Sequence, residues 1–195
     1  EVHGGAHHEF SPELAVRLGG VRLSNPADPD TAFITARALR IPVSAMQLLS
    51  RQIDVSEITF ESPVVAFIVN DRGEASWDFP SPKQPAPLEM DIVNGSVRYF
   101  DARNGQSFAF GGANLGIELS ADGEITIRGT ADVSGRLARI EAYVKSLPRV
   151  HEDGAPADLS FDAPDLSVTF NGRLATAKVL SLAGTVAVSS PDPVA

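Results

Sequence analysis

A hydrophobic alternation of period two, cut at short intervals by glycine turns, limits what this chain can become more than any other feature. In "ANLGIELS" Leu115, Ile117 and Leu119 fall on one side; in "GEITIRG" Ile125 and Ile127 do; in "PDLSVTFNG" Leu166, Val168 and Phe170 do. Successive side chains of a strand point to opposite faces, so each segment reads as a strand with one apolar and one polar face. Among these segments stand "NDRG" (70–73), "ARNG" (102–105), "SADG" (120–123) and "FNG" (170–172). Asn-Gly and Asp-Gly accept the positive φ angles of tight reversals, so each predicts a turn. The fold class that follows is all-β dominated, an antiparallel and meandering sheet.

Some stretches depart from that pattern. In "VSAMQLLSRQ" Val43, Met46 and Leu49 have helical spacing, and Pro42 suits a first helical turn, where its missing N–H costs nothing. One short helix is predicted near residues 43–51. The segment 136–147 fits either period, and the strand reading is preferred. "RVHEDGAPAD" (149–158) reads as a polar loop, and the glycine pairs at 19–20 and 111–112 as bulges or close backbone approach. Prolines at 80, 82, 85 and 87 mark a connector. The predicted division is an N-terminal strand–helix–strand unit over 1–80, a Pro-rich connector over 81–87, and a second antiparallel unit over 88–190 continuing the same sheet. A faint repeat crosses the connector: Pro63 to Gly73 matches Gly95 to Gly105, placing Val65 on Val97 and Phe67 on Tyr99, an offset of 32 residues.

Composition removes several kinds of chemistry. At 195 residues the chain can bury a core without disulfide staples, and it has no cysteine, so thiol catalysis and cysteine-held zinc are excluded. Its net charge of −9, with the basic residues scattered, would repel a polyanion, so no nucleic-acid partner is expected. No run of about 20 apolar residues could span a bilayer, and the polar opening "EVHGGAHHEF" does not read as a signal peptide. His3, His7 and His8 cluster in a glycine-rich start that offers no packed support, so no metal site is expected. The carboxylate pairs Asp28/Asp30, Glu152/Asp153 and Asp162/Asp165 stand beside prolines or glycines and read as solvated loops rather than an acid–base pair. With no nucleophile elbow and no phosphate loop, no catalytic residue and no cofactor are expected, and the chain does not read as an enzyme.

What remains is apolar surface. Alternate residues Val65, Phe67, Leu115, Ile117, Ile125, Ile127, Val168 and Phe170 are predicted to build one continuous apolar face. The run "SPVVAFIVN" is apolar on both sides of its strand, which demands cover on each or a ligand on one. Trp77, the single tryptophan, follows the Gly73 turn of the strand that Pro63 heads, and these three are expected to be structural.

The order of these features resembles the N-terminal region of the AsmA family of bacterial envelope proteins. Val21, Leu23, Asn25 and Pro26 match its first strand and turn. Phe33 to Leu49 match a strand and leucine-rich helix, Ile53 to Val69 the next two strands, and Gly73 with Trp77 the closing turn. Ser76 stands where the family usually has asparagine. "DIVNGSVRYFDARNG" resembles the next repeat. The resemblance implies an elongated twisted sheet forming an open groove with an apolar interior. It implies a periplasmic protein held to the inner membrane by a helix preceding Glu1. It also implies a role in outer-membrane assembly and lipid homeostasis, with phospholipid or acyl chains as ligand, or outer-membrane proteins as partners. In that setting Trp77 anchors a strand end onto the sheet.

Overall fold

The computed structural model describes residues 14–44, 47, 49, 55–79, 86–146, 154–175 and 181–190. Among them eleven strands form one twisted sheet. These are β1 (Leu14–Asn25), β2 (Asp28–Val43), β3 (Glu57–Glu61), β4 (Val64–Val69), β5 (Leu88–Asp101) and β6 (Gln106–Leu119), then β7 (Ile125–Val133), β8 (Arg136–Val144), β9 (Ala155–Ala163), β10 (Leu166–Ala175) and β11 (Ser181–Ser189). Spatial order follows chain order, except that β3 and β4 together fill one position between β2 and β5. Residues 136–144 are strand, and the turns at 70–73, 102–105 and 120–123 fall where the Asn/Asp-Gly signals place them.

The sheet is not antiparallel throughout. β3 and β4 run parallel to β5, with Glu57 opposite Glu89, Val65 opposite Val97 and Phe67 opposite Tyr99. That register is the 32-residue offset of the repeat, so the two copies lie side by side. Ser62 and Asn94, also 32 apart, both take positive φ (48° and 53°), so each copy kinks at the same place. Across the kink Ser62 N–H donates to the Val93 carbonyl and Ser96 N–H to the Pro63 carbonyl, each at 2.8 Å. Two adjacent strands bent alike keep their pairing through the bend.

A parallel pair needs a crossover, and residues 70–79 begin it. The Asn70 side-chain oxygen accepts from the Arg72 and Glu74 amides at 3.0 and 2.8 Å, and Gly73 turns the chain at φ 81°. Ala75 then bridges Val69, and Ser76 N–H donates to the Ile68 carbonyl at 2.8 Å. These two residues take the edge of β4 beyond Val65, where its pairing with β2 ends.

Several expectations are corrected. Pro42 and Val43 end strand β2 instead of opening a helix. The Ser44 hydroxyl accepts from the Gln47 amide at 3.1 Å while the Gln47 side chain accepts from the Ser44 amide at 2.8 Å, a reciprocal cap. Gln47 and Leu49 are helical; the rest of the predicted helix lies outside the described residues. "FNG" at 170–172 is not a turn but the middle of β10, because Gly172 faces Gly184 of β11 and the alternation runs on to Leu174. The reversal comes earlier, between Ala163 and Leu166. β9 begins at Ala155, inside the segment read as a loop, since Ala155, Ala157, Leu159 and Phe161 continue the period-two pattern. Asp28, Asp30 and Asp162 likewise lie on strands. Gly111–Gly112 does sit at a register shift, with Gly112 at φ 59°; at Gly19–Gly20 the register runs through unshifted, though Gly20 has φ 64°.

Candidate functional site: the apolar face

Directly paired residues of neighbouring strands share a face, so the register decides whether the expected residues meet. Leu115 faces Ile92, Ile117 pairs with Met90 and Ile127, and Leu119 pairs with Leu88 and Ile125. Ile125 and Ile127 lead to Val144 and Ala142 on β8, and these to Ala157 and Leu159 on β9. Leu159 pairs with Phe170 and Phe161 with Val168, which face Val186 and Val188 on β11. Leu115, Ile117, Ile125, Ile127, Val168 and Phe170 therefore stand on one face. The opposite face carries Glu118, Thr126, Arg128, Glu141, Tyr143, Asp158, Ser160 and Thr169.

Val65 and Phe67 join the same face through two compensating bulges. They pair with Val97 and Tyr99, and these with Phe110 and Phe108. Phe110 and Leu115 are five residues apart and would normally point oppositely. Between Ala113 and Phe110 strand β6 takes one extra step while β5 moves only from Gly95 to Val97, so the parity is restored. The alternation alone could not show this, since it breaks at the glycines that repair it. The reading from sequence also missed Met90, Ile92, Leu159 and Phe161, whose signal was present as alternation in "LEMDI" and "APADLSF".

No second layer of strands covers this face among the described residues, yet much of it is half-buried and part is fully buried. Phe170 is 7% exposed, packed with Val144, Ala155 and Ala157 and flanked by Ile125, Leu159 and Leu174. Four consecutive strands thus shield one ring by curling around it. Glycines on this face permit the close approach: a Cβ on Gly172 would lie 2.7 Å from the Phe170 ring and one on Gly129 2.0 Å from the Asn114 carbonyl oxygen. Towards β11 the shielding stops, and Leu182, Val186 and Val188 are more than half exposed.

At the N-terminal end the crossover provides cover. Trp77, 8% exposed, packs with Phe33, Val69 and Ala75, with Val65, Phe67, Phe79 and Tyr99 around them. Phe67 meets Phe33 and Trp77 edge-on, with ring centres 5.6 and 5.5 Å apart. The indole N–H is buried without a partner among the described residues. The buried Ser76 hydroxyl accepts from Ile68 N–H at 2.9 Å and donates to the Ala66 carbonyl at 2.7 Å, tying the crossover to the strand it leaves. Pro63 is fully buried at the kink, against the backbone position of Gly95.

Polar groups serve structure. Asp101, 3% exposed, accepts from the Arg103 amide, Nε and Nη2 at 3.0, 2.9 and 2.7 Å, locking the 102–105 turn. The Arg103 hydrogen bonds hold its carboxyl below the usual range. Glu61 is lowered likewise, first by its bond to Arg17, with Arg37 also in contact. A hollow of about 460 Å³ is lined by the rows Thr126–Tyr143–Asp158–Asn171 and Arg128–Glu141–Ser160–Thr169 together with Ile127, Ala142, Leu159 and Phe170 between them. Among the described residues no group of three or more metal-ligating side chains occurs, and no helix is long and apolar enough to cross a membrane. The histidine cluster at 3, 7 and 8 lies outside the described residues.

Fold and site thus define a class: a single, mostly antiparallel sheet, apolar on one face, with an aromatic crossover at one end. The AsmA family model matches residues 2–108, more than half of the chain, and the chain belongs to the AsmA family. Membership assigns it in general terms to the bacterial envelope. No curated protein and no solved structure matches it.

Proposed function

We propose that this chain is a non-enzymatic periplasmic module, anchored in the inner membrane in its parent protein, whose apolar face holds the acyl chains of phospholipid. On this reading it serves outer-membrane assembly and lipid homeostasis. The observation that carries it is the unbroken apolar row from Ile117 through Ile127, Ala142 and Leu159 to Phe170, on a sheet face that no second layer covers among the described residues. An acyl chain needs only non-directional burial, about 0.8 kcal/mol per CH₂, so the site requires no polar motif. A charge placed in the row would lack a partner and exclude the chain.

The test is photo-crosslinking with an acyl probe, together with native mass spectrometry for co-purified phospholipid. Labels are expected on the apolar face and should be lost in Ile127→Asp while circular dichroism keeps its β signature. Labels on the polar face, or undiminished labelling of that variant, would refute the reading. A second reading, a scaffold that takes strands of assembling outer-membrane proteins, draws on β11, an uncharged and exposed strand that pairs only with β10 among the described residues.

A further inference from the structure

The run Val64–Val69 is apolar on both sides of β4, and the crossover covers only one of them. Val65, Phe67 and Val69 pack with Trp77 and its neighbours. Ala66 and Ile68 point the other way, and the register shows what stands beside them. Ala66 pairs with Arg98 and Arg98 with Ala109; Ile68 pairs with Phe100 and Phe100 with Ser107. These two rows line a hollow of about 510 Å³, with Tyr99 and Phe108 of the apolar face between them. The hollow exists because Arg98 has only an alanine directly across each flanking strand, so no long side chain stands against it. Phe100, the one ring in these two rows, is 45% exposed.

Arg98 is the only charge lining the hollow. Among the described residues its guanidinium has no hydrogen bond and no ion pair. At this end of the sheet Asp101 is held by Arg103, Asp132 by the Gly135 amide and Glu74 by the Asn70 side chain. An apolar hollow of this size with a few polar groups is the general form of a small-molecule site. We infer that it holds an amphiphile with a single anionic head, carboxylate or phosphate. The head takes the Arg98 guanidinium, whose fork of N–H donors matches either group, and Ser107 adds a hydroxyl diagonal to it across β5 and β6. The apolar body lies along Ile68 and Phe100. Charge selects this occupant, because a neutral or cationic one would cover the guanidinium without pairing it. In a chain of net charge −9 an anion is repelled by most of the surface, so its retention here depends on this arginine. The site faces away from the row that runs from Ile117 to Phe170 and does not draw on it.

The test uses diazirine-bearing dodecanoate and dodecyl phosphate on the 195-residue chain, with labelled peptides located by mass spectrometry. One or both should label β4 to β6 around Ala66, Ile68, Phe100 and Ala109, and the matching dodecanol probe should label there about tenfold less. The head that is retained identifies the source, a free fatty acid or a phosphorylated lipid. Arg98→Gln should weaken anion binding by about tenfold or more, while Arg98→Lys keeps the charge and should keep part of the binding. Ala109→Glu places a carboxylate directly opposite Arg98 and should abolish the label, whereas Ala109→Gln, of nearly the same size, should not. Arg98 and Ala109 are exposed strand residues, so these variants should fold, and Ile127→Asp should leave this label intact. The inference is overturned by the absence of label on β4 to β6, by equal labelling with dodecanol, or by a label that neither Arg98→Gln nor Ala109→Glu moves. Labels confined to the row from Ile117 to Phe170 overturn it and leave the reading of the apolar face standing. Labels on β4 to β6 alone support it and overturn that other reading.

Discussion

The first four strands and the last seven solve the same problem in different ways. β5 to β11 form a meander in which chain order is spatial order, and from Leu115 to Val188 the apolar face is carried by alternation. β1 to β4 rely on single devices: a kink at Ser62–Pro63, a parallel seam, and a crossover that lays Trp77 and Phe79 against Phe33 and Phe67. One end of the sheet is thus roofed by its own chain, while among the described residues no layer lies over the face beyond it. A roof fixes the sheet and removes that surface from use, so the uncovered strands are where a ligand has room.

The largest effect that would test this contrast is at the roof. Trp77→Ala should cost about 3–5 kcal/mol, the range for losing a core aromatic, measured by denaturant unfolding. A loss below about 1 kcal/mol would make the roof decorative and the comparison empty. Ser76→Ala comes next: it strands the Ile68 N–H and the Ala66 carbonyl and should cost about 1–3 kcal/mol. On the open face, Ile127→Asp should cost less stability than Trp77→Ala, because Ile127 is only half-buried, while abolishing acyl labelling. If it unfolds the chain as severely as Trp77→Ala does, the face is a covered core rather than a surface.

This asymmetry also explains what was legible beforehand. The strands of the meander and three of their turns follow from side-chain period and Asn/Asp-Gly chemistry, which are local signals. The eight residues expected on the apolar face do share it, but the sequence could not show how, because the bulges at Asn94 and Gly111–Gly112 shift parity between Phe67 and Leu115. "FNG" misled for a related reason: Gly172 is there to admit the Phe170 ring and the Gly184 backbone, a requirement set by β11 and not by neighbours in sequence. Ala155 to Asp158 looked polar because small residues alternate weakly, yet Ala155 and Ala157 are among the most buried in the molecule. The 32-residue repeat was visible; its meaning, a parallel register, required knowing that the copies lie side by side.

The smallest expected effect separates the two regions by acid. Glu61 on β3 and Asp101 at the end of β5 both have carboxyls lowered by arginine, the first chiefly by Arg17, the second by Arg103. A folded value below the unfolded one means that each contributes stability present above the unfolded value, near 3.9–4.3, and lost as pH falls through the folded one. They differ in access to solvent. The Asp101 side chain is 4% exposed and bonded to its turn, whereas the Glu61 pair joins an exposed arginine to a carboxylate that is 22% exposed. Salt screens exposed pairs and hardly reaches buried ones. Carboxyl titration by NMR should therefore show the lowered value of Glu61 relaxing towards normal in high salt, while that of Asp101 stays low. Asp101→Asn should flatten the acid limb of the stability profile at any ionic strength, and Arg17→Ala only in low salt. If both carboxyls respond to salt alike, the β5–β6 turn is as open as the β1 edge, and local burial does not distinguish these two parts of the sheet.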